Sequence, residues 1–81
     1  MTYIEILQQL IVKLDTAGET EKAAQLKKIA NTEYTSQAMW IGETSLAAIN
    51  AIRYNERLND LVGNEVFDLK MHALDMGLDV S

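Results

Sequence analysis

The stretch TYIEILQQLIVKLDTAG, residues 2–18, describes a helix together with both of its ends. Thr2 is followed three residues later by Glu5, the spacing of a capping box, in which hydroxyl and carboxylate satisfy backbone donors that a helix start otherwise leaves orphaned. Tyr3, Leu7, Leu10 and Leu14, with Ile6 and Ile11 beside them, recur at steps of three and four and gather into one broad apolar stripe. Gly18 supplies a residue that tolerates left-handed backbone just past the last turn. The pattern predicts a helix over about residues 2–17 with one buried face.

Working outward, Thr20 can cap a second helix over about residues 20–30, with Ala23, Leu26, Ile29 and Ala30 inward and Lys27 and Lys28 in water. Asn31 ends it. So short a connection folds the two helices back on each other as an antiparallel hairpin. The polar run Asn31 to Ser36 reads as a loop, and a third helix is expected over about residues 36–62, either continuous or interrupted at Gly42, in which case Thr44 or Ser45 caps the continuation. Along it Ala47, Ala51, Tyr54, Leu58 and Leu61 form one apolar row, and Ala48, Ile49 and Ile52 another. Gly63 and Asn64 read as a stop and a cap. A last helix over about residues 64–76 then carries Val66, Leu69, Ala73 and Met76, with Phe67, Met71 and Leu74 alongside, and ends at Gly77. No proline interrupts the chain, no strand-like alternation appears and no internal repeat is detectable. The expected fold is all-α: a small bundle of four or five helices beginning with an antiparallel helical hairpin, residues 1–81 forming a single domain.

Composition narrows the function classes. A chain of 81 residues buries only about 60–65% of the surface its unfolded form exposes, enough for one modest core. Cysteine is absent, which excludes disulfides, thiolate metal sites and cysteine nucleophiles. The apolar stretch from Ile4 to Leu14 is broken by Glu5, Gln8, Gln9 and Lys13 and follows no basic segment, so neither a signal peptide nor a membrane span is expected, and the protein reads as cytoplasmic. Residues 1–31 hold four cations and four anions, whereas residues 32–81 hold three cations against eight anions and carry the whole excess of −5. Such a surface repels phosphate backbones and anionic membranes, so no nucleic-acid or membrane partner is expected.

Little in the chain resembles catalytic machinery. His72, the single histidine, lies four residues after Asp68 and three before Asp75, with Glu65 one turn further back. That grouping has the residue types of a carboxylate–imidazole metal site or an oriented general base. One nitrogen ligand is too few for an ordinary zinc site, and an unremarkable helix surface explains the spacing better, so no metal, cofactor or catalytic residue is assigned. Gly18, Gly42, Gly63 and Gly77 are too widely spaced to cradle a phosphate. The serines and threonines read as caps and loop residues.

Two features point instead to protein partners. Trp40 and Met39 precede Gly42: the tryptophan either fills the core beneath the preceding loop or, where Gly42 kinks the segment, is displayed as a binding anchor. Phe67, Met71 and Leu74, added to the Val66 row, make the last helix apolar round much of its circumference, and a second subunit would give the further cover, most simply in a two-fold dimer. The leading expectation is therefore a non-enzymatic, self-associating interaction module. The alternative is an acidic immunity- or antitoxin-type protein that meets a basic partner with Asp60, Glu65, Asp68 and Asp75.

Overall fold

The capping box at Thr2 is formed. The Thr2 hydroxyl accepts from the Glu5 backbone N–H at 3.2 Å while the Glu5 carboxylate accepts from the Thr2 N–H at 3.2 Å, opening α1 (Tyr3–Thr16). In the computed structural model, which describes residues 1–80, α1 is followed by α2 (Thr20–Ala30), α3 (Gln37–Ile52) and α4 (Glu56–Asp75). No strand occurs among the described residues. Gly18 takes φ +88°, the left-handed conformation that lets the chain leave α1 and enter α2 within three residues. Thr20 is the first residue of α2 rather than its cap; Glu19 holds the cap position without a side-chain bond, its carboxylate drawn instead to Arg57 at 3.1 Å.

Of the two readings at Gly42 the uninterrupted one holds, the expected stop at Gly63 is absent, and the helix expected over 36–62 is two helices. Gly42 lies inside α3, where a Cβ would stand 3.8 Å from Leu78 Cδ1, and Gly63 lies inside α4. The chain turns instead at Arg53 and Tyr54, the latter at φ +61°, and Asn55 caps α4 by accepting from the Leu58 N–H at 3.1 Å. Asn64 consequently caps nothing and sits within α4. Restarting the helical phase at Asn55 breaks the expected row: Leu58 is buried, but Tyr54 is 99% exposed and Leu61 faces outward. Met76, expected inward, ends α4 exposed, while Val80 beyond Gly77 is buried.

α1 packs against α2 and α4, and α3 packs against the same two helices. Their inward residues make one core: Leu7, Leu10 and Leu14 from α1, Leu26 from α2, Ile41, Ala48 and Ile52 from α3, and Leu58, Val62, Leu69 and Ala73 from α4. Arg57 ties the start of α4 to the α1–α2 turn through Glu19 and the Ala17 carbonyl at 2.7 Å. Lys13 joins α1 to α4 through Glu65 at 2.6 Å.

Candidate interaction surface

Thr44 and Ser45, expected as helix caps, are instead fully buried. Their hydroxyls converge on Tyr3 of α1: the phenolic oxygen lies 2.6 Å from Thr44 Oγ1 and 2.7 Å from Ser45 Oγ, and it donates to the Ile41 carbonyl at 3.1 Å. The single proton of the Thr44 hydroxyl has the Trp40 carbonyl, at 2.8 Å, as an alternative acceptor, and that of Ser45 the Leu69 carbonyl of α4, at 3.4 Å. Burial pushes the Tyr3 phenol above its ordinary titration range, and the bonds from Ser45 and Thr44 offset part of that rise. The signal for this cluster was present in the spacing: Thr44 and Ser45 share a helical face with Ile41, Ala48 and Ile52. A buried hydroxyl group so fully bonded anchors packing and offers no free nucleophile.

His72 turns towards α1, its ring edge-on to that of Tyr3 with centroids 5.8 Å apart. Among the described residues no group of three or more histidine, aspartate or glutamate side chains is placed to hold a metal ion. Of the four carboxylates expected to form an acidic docking surface, Asp60, Asp68 and Asp75 are exposed on α4. Glu65 is drawn away from them, with Oε1 on Lys13 and Oε2 buried.

The expected interface residues divide. Trp40 is held inward: its indole N–H donates to the Ala30 carbonyl at 2.8 Å and its ring meets Tyr3 edge-on with centroids 5.4 Å apart. The kink that would have displayed it does not form, because α3 runs unbroken through Gly42. Met39 is exposed in the first turn of α3, its sulfur accepting from the Thr35 hydroxyl at 3.8 Å. Phe67, Met71 and Leu74 lie together on the outside of α4, at positions i, i+4 and i+7, with exposures of 60%, 40% and 42%. Asp68 and Asp75 flank this stripe on one side and Lys70 on the other.

Grooves indent the surface. One, about 930 Å³, runs between α1 and α2; Leu7, Ala23 and Trp40 line its depth, and Ile4 and Val12 stand half-open on its α1 wall. Lys27 and Lys28 stand on its α2 wall and Asp15 on its α1 wall. Another, about 630 Å³, lies between α3 and α4 and is bordered by Ile49, Tyr54, Phe67 and Lys70. No helix among the described residues is long and apolar enough to cross a membrane. No family model, curated protein or solved structure matches this chain.

Proposed function

We propose that the chain is a non-enzymatic protein–protein interaction module that self-associates through the outer face of α4. The observation that carries this reading is the stripe Phe67, Met71 and Leu74, three large apolar side chains left exposed on a helix whose opposite face is already buried by Leu58, Val62, Leu69 and Ala73. Contiguous exposed apolar surface on so small a chain marks a binding face more often than chance exposure. The pattern i, i+4, i+7 is also the one by which an amphipathic helix presents anchors to a groove. In this reading the first two helices are the antiparallel hairpin of a small cytoplasmic bundle, and neither nucleic acid nor membrane is a partner.

Native mass spectrometry with light scattering over a dilution series tests it. Mass above that of one chain is expected for the natural sequence and lost in Phe67→Asp/Met71→Asp, while both proteins keep the same helical circular dichroism. A single-chain mass at every concentration overturns self-association.

A second reading, an acidic immunity- or antitoxin-type protein, is favoured by the exposure of Asp60, Asp68 and Asp75 along one helix. It requires a salt-sensitive complex with a cationic protein, weakened by reversing these three charges.

A further inference from the structure

We infer that the outer stripe of α4 seats in the α1–α2 groove of a second copy of this chain. The inference rests on the self-association just proposed and names the surface that receives the stripe. Dimensions agree: Phe67 to Leu74 rises about 10 Å along α4, and Ile4 to Val12, the exposed apolar part of the groove wall, rises about 12 Å along α1. Three side chains at i, i+4 and i+7 therefore fit within the groove's length. The groove's apolar wall, with Ile4 55% and Val12 62% exposed, also lacks cover in the single chain.

Charge chooses the groove over an antiparallel second α4. Antiparallel two-fold pairing of the stripes would set the Asp68 and Asp75 flank of one copy against the same flank of the other, and like charges brought together across an interface are strongly unfavourable. The groove presents Lys27 and Lys28 on one wall and Asp15 on the other, matching Asp68 and Asp75 on one flank of the stripe and Lys70 on the other. Stripe and groove are different surfaces, so the contact is head-to-tail; it extends beyond two copies as a closed ring or an open chain.

The absence of native cysteine makes cross-linking a clean test. Val12→Cys and Met71→Cys, both at exposed positions, are made as separate full-length variants, checked for unchanged helical circular dichroism, and oxidised alone and mixed. The expected result is a disulfide between the two variants in the mixture and none in either alone. In parallel, Lys27→Glu/Lys28→Glu weakens association about tenfold or more, and adding Asp68→Lys/Asp75→Lys to the same chain restores it. Cross-linking of Met71→Cys with itself, with association indifferent to the lysine reversals, overturns the groove assignment and leaves self-association through α4 standing. A single-chain mass at all concentrations overturns both.

Discussion

The hydroxyl of Tyr3, in the first turn of α1, meets the hydroxyl of Ser45, 42 residues later in α3, at 2.7 Å. The backbones of these two helices do not pack against each other directly, since each is flanked by α2 and α4. Tyr3 reaches across, and Ser45 and Thr44 supply the polar partners that make a buried phenol affordable. Trp40 and His72 close on the same ring edge-on, at 5.4 and 5.8 Å. One aromatic side chain thus sets the register of α1 against α3.

Tyr3→Phe removes the bridge but not the bonds that Thr44 and Ser45 make to the Trp40 and Leu69 carbonyls, so a loss of about 1–2 kcal/mol is expected in urea unfolding at neutral pH. The Tyr3 pKa is raised in the folded state, so its contribution is fully present below the ordinary value of 10.0 and is lost as pH rises through the folded value. Wild type should therefore lose stability more steeply than Tyr3→Phe above about pH 10. Parallel curves for the two proteins through that range would show that the phenol does not titrate against folding.

Acid stability turns on Glu5. Its carboxyl titrates below the ordinary value of 4.5, first through the bond from the Thr2 backbone N–H and then through the Thr2 hydroxyl. A lowered folded pKa gives stability that is present above about pH 4.5 and lost as pH falls through the folded value. Glu5→Gln keeps a capping geometry but no charge. Its melting temperature should lie below that of wild type at neutral pH and converge with it as pH falls through the folded value; a constant gap would mean the charge is irrelevant.

Tyr54 is 99% exposed, so its side chain repays none of the strain of φ +61°. Left-handed backbone costs a residue with a Cβ about 1–2 kcal/mol, against about 0.5–1 kcal/mol of extra chain entropy for glycine. Tyr54→Gly is expected to raise unfolding stability by about 0.5–1 kcal/mol. A decrease would show that Tyr54 makes contacts the turn depends on.

The glycines separate by conformation. Gly42→Ala places a methyl in ordinary contact with Leu78 inside α3 and should stabilise by about 0.5–1 kcal/mol. Gly18→Ala meets no atom within 4 Å, yet its φ of +88° makes it destabilising by about 1 kcal/mol or more. Thermal melts that moved both variants in one direction would refute the distinction.

The residues themselves determined where α1 begins and ends and which of its faces is buried. A capping box, a periodic stripe and a left-handed glycine act within one or two turns of the chain, and no distant contact is needed to read them. Tertiary structure decided the rest. Gly42 and Gly63 look like breaks locally, but packing keeps both in helix, and the turn falls at Tyr54, a residue with no local preference for left-handed backbone. Thr44 and Ser45 look like caps until Tyr3 is placed opposite them. Phe67, Met71 and Leu74 carry the same apolar signal as Val66 and Leu69, because hydrophobic periodicity records that a face avoids water and not what covers it. Only the positions of α1 and α3 on either side of α4 separate the core face from the exposed one.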